Sequence, residues 1–594
     1  MSPGSGEGTR LNSANANAPT HHYYRFTIYF PFMTVFKPAP RHEVSLGATP
    51  ARMALLAGLG LVLGIVGGLA AYLVVKLVAL ISNLALLHRV GFSLPNLSHY
   101  NPGPALIPVA ILGALVVVGL SLWTPIIKGH GIPESLETIV LRESRIRPRV
   151  VIAKPLSAAI AMGTGGPFGA EGPIIVTGGS IGSLLGQILP VTAAERRILL
   201  ATGAAAGMAG VFATPIAAVI MAFELLLFER SLRSLLPLSI ACAVATEIHY
   251  LTLGAEPLFH APGIHTPGAL QLPLFVLLGA AAGLLAVAIN KGLFAWEGLF
   301  RRSRLPELWH PVAGALGFAL VGLAVPGSLS VGYWAITDAV NGRFLAGAAL
   351  ALAGAKLLSW WIALASNTSG GTLAPIFLIA SALGEAIGIG FAHLFPALHI
   401  QPGAFALVAM GATFGAAARA LLTGGVFALE VTGADHLVVP MLLCLAVAEL
   451  VAGWMLPERI MTDKLVRRGF RVEFDTQVDP FRTAVAAQVM EPVAEVPEGD
   501  ALPVVGPTSY LQEVLDCFIS TGAEAVVVID GEKPVGLLSR SALSDALARR
   551  LAENEPQPPT LHPGKAIGRL LQRLSAPRAA QEVAGDFPEG EVAE

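Results

Sequence analysis

Residues 165–180 read GGPFGAEGPIIVTGGS, and residues 370–381 read GGTLAPIFLIAS. Each stretch has a pair of glycines, a proline a few positions later, and then a run of apolar residues. Glycine lets backbones approach closely, and proline suits the first turn of a helix because it lacks the amide that would be unpaired there. Each stretch therefore predicts an irregular segment that enters an apolar helix at its N-terminus.

The two stretches belong to a longer duplication. Downstream of the first, TGAAAG at 202–207 leads into an apolar segment that ends at Glu224. Downstream of the second, MGATFG at 410–415 leads into an apolar segment that ends at Glu430. Duplicated halves with glycine- and proline-interrupted apolar segments indicate a transporter whose binding site lies near the membrane midplane, between the repeats, usually with inverted topology.

Composition places most of this chain in a lipid bilayer. Of its 594 residues, 54% are hydrophobic and 13% are charged, whereas soluble domains carry roughly 25% charged residues. A helix needs about 20 mostly apolar residues to cross the membrane. Long apolar runs occur at 53–75, 105–123, 272–289, 312–325, 344–365 and 438–456. We therefore expect an all-α polytopic membrane protein built of two inverted repeats with broken helices.

The remaining segments differ in composition from this membrane part. After residue 475 the sequence becomes polar, and 523–530 and 534–539 read as strands joined by a turn at Asp530-Gly531, followed by a helix at 541–552. We expect an N-terminal cytoplasmic tail at 1–50, a transmembrane domain at 51–462, a linker at 463–486, a small α+β cytoplasmic domain at 487–552 and a disordered tail at 553–594.

Several classes of function are not indicated. The net charge of −2 gives no basic excess for nucleic acid, and the three cysteines form no spaced pair for a disulfide or zinc. Basic residues instead cluster after the last apolar run, which predicts a cytoplasmic end there; these residues are Lys464, Arg467, Arg468 and Arg471. No nucleophile–base pair or metal cluster is visible in the predicted spans. An intramembrane enzyme is therefore only a distant alternative, and so is a receptor.

Three interrupted segments suit the binding of a small anion. They are GHGIP at 129–133, GAEGP at 169–173 and GGTLAP at 370–375. A helix N-terminus offers unpaired amides and a dipole equivalent to about +0.5 charge, so it can hold an anion without trapping it. Taken singly, each segment is also compatible with a kinked membrane helix or a loop.

Together and in this order, the three segments resemble the anion-binding signatures GSGIP, G(K/R)EGP and GxFxP of the CLC family of chloride channels and chloride/proton antiporters. The similarity covers roughly residues 50–475. It implies a homodimer in the cell membrane, with both termini cytoplasmic and one pathway per subunit for chloride or another small anion, and with no cofactor or metal. Residues 487–552 resemble a CBS domain, a regulatory module that often binds adenine nucleotides.

The resemblance also assigns roles to individual residues. Glu171 matches the glutamate gate of the family, and the alternative interpretation is a helix-capping carboxylate. Lys154 matches a family lysine near the pathway, although alone it would pass for a snorkelling residue at a helix end. The anion-binding residues implied by the resemblance are Gly129, His130, Gly131, Ile132, Gly172, Gly371, Thr372, Leu373 and Met461.

Departures from the family pattern affect the mechanism. His130 replaces the usual serine, Leu373 the usual phenylalanine, and Met461 aligns with the tyrosine that usually completes the central site. Glu224 matches the first of two adjacent acidic residues and is a possible proton relay, but Leu225 occupies the second place. We therefore predict passive or weakly proton-coupled chloride transport, as in a channel, with the chloride/proton antiporter as the alternative.

The CBS-like segment departs from its pattern as well. Ala542 stands where nucleotide-binding versions place an aspartate for the ribose, and only one strand–strand–helix unit is clear where a pair is usual. The sequence thus favours a structural or dimer-stabilising role for this segment over nucleotide sensing.

Overall fold

The computed structural model describes residues 50–142, 144–227, 231–456, 459–461, 486–492, 502–531 and 533–545. Most of the predicted tail at 1–50, the predicted tail at 553–594, the basic cluster at 464–471 and the linker up to residue 485 lie outside the described residues. Pro50, the last residue of the predicted first tail, already belongs to a helix. The chain divides into two compact units, Met1–Val472 and Glu473–Glu594.

The described part of the first unit is helical. Its first eight α-helices are α1 (Pro50–Leu87), α2 (Leu106–Trp123), α3 (Ile132–Leu141), α4 (Val150–Gly163), α5 (Glu171–Ile188), α6 (Ala193–Phe212), α7 (Pro215–Met221) and α8 (Leu232–Leu253). The next eight are α9 (Leu272–Arg302), α10 (His310–Ala324), α11 (Tyr333–Val340), α12 (Ala346–Ala365), α13 (Leu373–Leu394), α14 (Pro402–Ala418), α15 (Leu421–Thr432) and α16 (Val438–Met455).

Among the described residues, eight helical segments are long and apolar enough to cross a membrane. These segments correspond to α1, α2, α8, α9, α10, α12, α13 and α16, three of them (α9, α10 and α16) with a short helical turn in front. Shorter apolar helices such as α4, α14 and α15 lie between them. The chain is therefore a multi-pass membrane protein that contains shorter apolar helices as well as helices long enough to span the membrane.

The packing repeats from the first set of eight helices to the second. Helix α1 packs on α6 and α8, and its counterpart α9 packs on α14 and α16. Across the two sets, α2 contacts α10 and α7 contacts α15. An element that touches its own counterpart lies at the axis relating the repeats, so this pattern indicates a pseudo-two-fold axis.

Backbone pairing shows the direction of the repeats. Gly169 and Gly371 lie 202 positions apart, as do Lys154 and Lys356. The two glycines form an antiparallel bridge, in which the Gly169 amide donates to the Gly371 carbonyl at 3.2 Å and the Gly371 amide returns a bond at 2.9 Å. Because equivalent residues pair in opposite directions, the predicted fold of two inverted repeats with broken helices is confirmed.

The described part of the second unit contains a small four-stranded sheet in the order β1-β4-β3-β2. The strands are β1 (Glu491–Pro492), β2 (Val504–Val505), β3 (Ala525–Asp530) and β4 (Lys533–Ser539), with helix α17 (Leu511–Thr521) between β2 and β3. Strands β3 and β4 form the predicted antiparallel hairpin. Gly531 takes a φ of 64° in its turn, a conformation that glycine adopts without strain.

Candidate functional site

The three predicted helix starts meet in space. Helices α3, α5 and α13 begin at Ile132, Glu171 and Leu373. Besides the bridge between Gly169 and Gly371, Gly129 pairs in parallel with Ser369. These contacts join residues 129–133, 169–173 and 370–375 into one junction.

Glycine is required at this junction because the backbones are too close for a side chain. A Cβ on Gly172 would overlap the carbonyl oxygen of His130. A Cβ on Gly371 would lie 2.5 Å from the Gly169 carbonyl oxygen and 2.7 Å from Oε2 of Glu171. Gly131 adopts a φ of 104°, which L-residues rarely take. Gly131, Gly172 and Gly371, three of the predicted anion-binding residues, therefore allow the backbones at the junction to approach each other closely.

Glu171 places a buried carboxylate at the centre of this junction. The residue is 1% exposed, and its Oε1 accepts a hydrogen bond from the Tyr333 hydroxyl at 3.3 Å. Its Oε2 is buried and has no hydrogen-bond partner within the described part of the chain. The backbone amides of Glu171 itself and of Ala374 lie beside the carboxylate. A buried carboxylate with an incomplete shell of donors is costly to keep charged, so the Tyr333 hydroxyl and these amides are the groups that support its negative charge.

Two buried lysines occupy equivalent places around the junction. Lys154 on α4 donates to the carbonyl oxygens of Ile127 and Gly129 at 2.7 and 2.8 Å. Its side chain is 0% exposed, so the alternative interpretation as a snorkelling residue is wrong. Instead, its ammonium group fixes the loop that enters α3.

Lys356 on α12 makes the equivalent contacts in the second repeat. It donates to the carbonyl oxygens of Ser328 and Ser330 at 3.1 and 2.7 Å. Its positive charge also acts on the Glu171 carboxylate. Lys356 thus holds the loop that enters α11 as Lys154 holds the loop that enters α3, and it also contributes to the electrostatic field at the Glu171 carboxylate.

The N-terminus of α3 is partly occupied by its own helix. The Gly131 amide donates to Oε2 of Glu134 at 2.6 Å, so the side chain of the third helical residue reaches back to the N-cap backbone. His130 is 4% exposed, and its carbonyl oxygen rather than its amide faces Gly172. At this helix start, one of the amides expected to face an anion is therefore engaged by a carboxylate.

The other assigned residues line the second repeat and the end of the unit. Thr372 precedes α13 as its N-cap, and both Thr372 and Leu373 are buried. Met461 is 1% exposed and follows Ile460, whose amide donates to Oδ1 of Asn290 at 2.7 Å. A thioether is only a weak acceptor, so Met461 supplies no donor to an anion.

Glu224, the residue considered as a proton relay, lies in a π-helical turn, Ala222–Leu226. Its two carboxylate oxygens accept from the amides of Leu422 and Thr423 at 3.1 and 2.8 Å, and from the Thr423 hydroxyl at 2.7 Å. The neighbouring Leu225 is buried and cannot titrate. Glu224 in this conformation caps α15. To act as a proton relay, its carboxylate would have to give up hydrogen bonds to α15 and take up a proton.

Tyr333 and Lys356 were not identified from the sequence. Both lie in the second repeat at positions that carry no glycine–proline signature. The internal spacing could have found them, because Lys356 lies 202 positions after Lys154 and Gly332 lies 201 after Gly131. That spacing predicts a fourth helix start at Tyr333, where the structure begins α11.

Curated relatives of this chain are exchange transporters. The H(+)/Cl(-) exchange transporter ClcA of Salmonella agona is 30% identical over 360 residues, which are 58% of this chain and 75% of that protein. The protein of the same name from Yersinia pestis is 31% identical over 59% of this chain and 75% of its own length.

Solved structures and a family model agree with this similarity. A slow cyanobacterial Cl⁻/H⁺ antiporter matches with a TM-score of 0.61 and 27% identity, covering 71% of this chain and 99% of that structure. A eukaryotic CLC transporter shares the fold with a TM-score of 0.58 and 18% identity, over 82% of this chain and 98% of that structure. The family model described as voltage gated chloride channel matches residues 112–453. This chain belongs to the CLC family of anion transport proteins.

Proposed function

We propose that the protein exchanges chloride for protons across the membrane, with Glu171 as the group that both gates the anion site and carries the proton. The observation that carries this proposal is the Glu171 carboxylate, buried at the junction of broken helices with Oε2 unpartnered in the described structure. The sequence alone predicted a passive or weakly coupled channel; we propose its alternative, the chloride/proton antiporter, instead.

The site around Glu171 suits chloride because a carboxylate already occupies it. Dipoles at the N-termini of α5 and α13 and the charge of Lys356 favour any anion there. A chloride ion that enters competes with the tethered carboxylate for the same field. Movement of Glu171 out of the site would therefore open the pathway, and its return would close it.

The same competition can link the anion to a proton. A carboxylate that leaves the amides and the lysine loses the groups that favour its charged form, so it can take up a proton as chloride takes its place. Two observations support exchange over passive flow: this carboxylate, and the description of curated relatives as H(+)/Cl(-) exchange transporters. Glu224 is then the candidate to receive the proton on the opposite side of the site.

The remaining assignments are proposals that rest on the family resemblance. We propose a homodimer with one pathway per subunit and with both termini cytoplasmic. We also propose that the CBS-like unit has a structural role, because the residue at 542 is alanine and its amide donates to the Ser539 hydroxyl at 3.1 Å. None of these three assignments is needed for transport through one subunit.

The proposed gate is tested by chloride efflux from liposomes containing purified protein. Glu171→Gln should leave chloride flux in place but remove the part of its pH dependence that comes from the gate, because the gate then carries no titratable charge. Glu385→Gln is the matched control, since Glu385 is also buried and accepts from the Phe344 amide at 2.7 Å, away from the helix starts. Unchanged pH dependence in Glu171→Gln would contradict the gate assignment, and absence of chloride flux in the wild type would contradict the proposed function.

A further inference from the structure

Tyr333 is the first residue of α11, and its hydroxyl donates to the Glu171 carboxylate at 3.3 Å. It makes this bond from the second repeat, whereas Glu171 belongs to the first. None of the three helix-start signatures contains this tyrosine. The contact therefore links the gate to an element that the family signatures do not cover.

The phenol ring of Tyr333 is held in place by other aromatic rings. Its centroid lies 5.5 Å from that of Phe259 and 6.1 Å from that of Phe212, both in edge-to-face geometry. Phe212 packs in turn against Phe427 at 5.0 Å. Such pairs favour one ring orientation, so the hydroxyl is aimed at the carboxylate by packing rather than by chance rotation.

The hydroxyl itself is oriented as a donor. The O–H group donates to Oε1 of Glu171, and an ionised carboxylate can only accept. A hydrogen bond to a charged group is stronger than one between neutral groups.

We propose that Tyr333 is a positioning residue that latches Glu171 inside the anion site and so sets how strongly the gate competes with chloride. This role rests on the proposed function, because it requires Glu171 to be the competitor. It differs from the usual role of a tyrosine in this family, since the tyrosine of the central site is replaced here by Met461 and Tyr333 acts on the gate.

The effect of the latch has a definite sign. Removing the hydroxyl weakens the carboxylate's hold on the site and leaves the amides and Lys356 available to the anion. Tyr333→Phe should therefore lower the chloride concentration that gives half-maximal flux by about tenfold, the size of one hydrogen bond to a charged group. Maximal turnover should not fall. Damage to packing would instead lower turnover without improving affinity.

A double-mutant cycle tests the latch. Half-maximal chloride concentration and maximal turnover are measured in liposomes for the wild type, Tyr333→Phe, Glu171→Ala and the double variant. The latch predicts that Tyr333→Phe increases apparent chloride affinity in the wild-type background and has no effect once Glu171 is alanine. An equal effect in both backgrounds, or no effect in the wild-type background, would overturn it.

Two controls separate this test from the proposed function. Tyr250→Phe removes a hydroxyl from a tyrosine on α8 that is 39% exposed, and it should change neither parameter. If Glu171→Ala alone leaves both chloride affinity and flux unaltered, the gate assignment fails, whatever Tyr333→Phe does. If Glu171→Ala alters them and the cycle shows no coupling, only the latch fails.

Discussion

Glu224 and Glu430 cap each other's repeats: Glu224 caps α15 in the second repeat, and Glu430 caps α7 in the first. The oxygens of Glu430 accept from the amides of Ile216 and Ala217 at 3.1 and 2.8 Å, and those of Glu224 from Leu422 and Thr423 at 3.1 and 2.8 Å. The two carboxylates therefore have equivalent structural roles, and any difference between them in transport reports on proton transfer.

We predict that Glu224→Gln lowers the number of protons moved per chloride and that Glu430→Gln does not. Each variant weakens one charged helix cap, so each should lower stability to a similar extent, about 1 kcal/mol. Proton and chloride fluxes in liposomes give the ratio, and thermal denaturation in detergent gives the stability. Equal ratios in the two variants would mean that Glu224 is a cap and not a relay.

Gly172→Ala is expected to abolish transport. The added Cβ would overlap the His130 carbonyl oxygen, so the loops before α3 and α5 would have to separate. Overpacking of this kind costs about 1–3 kcal/mol. The control is Gly119→Ala on α2, where a Cβ would meet nothing within 4 Å. Chloride flux in liposomes should be lost only in the first variant; normal flux through Gly172→Ala would show that the close approach is dispensable.

His130 predicts a second source of pH dependence. An imidazole can gain a proton near neutral pH, and a cationic ring beside the site would favour a bound anion. In a Glu171→Gln background, where the gate cannot titrate, chloride binding should strengthen on acidification, on the order of tenfold. Adding His130→Ser should remove that increase. Calorimetric titration with chloride checks this, and matching curves with and without His130 would refute it.

The second unit is expected to bind adenine nucleotides weakly or not at all. Ala542 offers no carboxylate to ribose hydroxyls, and the described sheet has only four strands. Calorimetric titration of the full chain with ATP or AMP should give no heat at micromolar concentrations. Ala542→Asp restores the missing carboxylate and is the informative comparison. Tight binding by the wild type would show that this alanine does not prevent nucleotide recognition.

Much of the first unit could be predicted from the sequence because its signals are local. Glycine followed by proline marks where a broken helix begins, and α3, α5 and α13 start within those motifs. The hairpin of β3 and β4 follows from two short runs rich in apolar residues on either side of the Asp530-Gly531 turn. In each case the backbone preference of a few neighbouring residues decides the structure.

The roles that local motifs do not predict depend on contacts between the repeats. Tyr333 looks like an ordinary apolar helix residue until α11 is placed against α5, and only then does its hydroxyl meet Glu171. Lys356 likewise reads as a lone charge in an apolar run, whereas its ammonium group holds two carbonyls of another loop. The sequence favoured a channel because Leu225 and Met461 stand where the family has an acidic residue and a tyrosine. Such replacements can be identified in a sequence, whereas the surroundings of Glu171 depend on the fold.

The central claim is exchange of chloride for protons through Glu171, and its most direct test is proton uptake driven only by chloride. Liposomes containing the purified protein are loaded with chloride and diluted into low chloride, with the membrane potential clamped by valinomycin and potassium. We predict sustained inward proton movement against a pH gradient, at a fixed ratio to chloride efflux, which Glu171→Gln abolishes while chloride efflux continues. Chloride efflux from wild-type liposomes without any proton uptake would contradict the account and identify a passive channel.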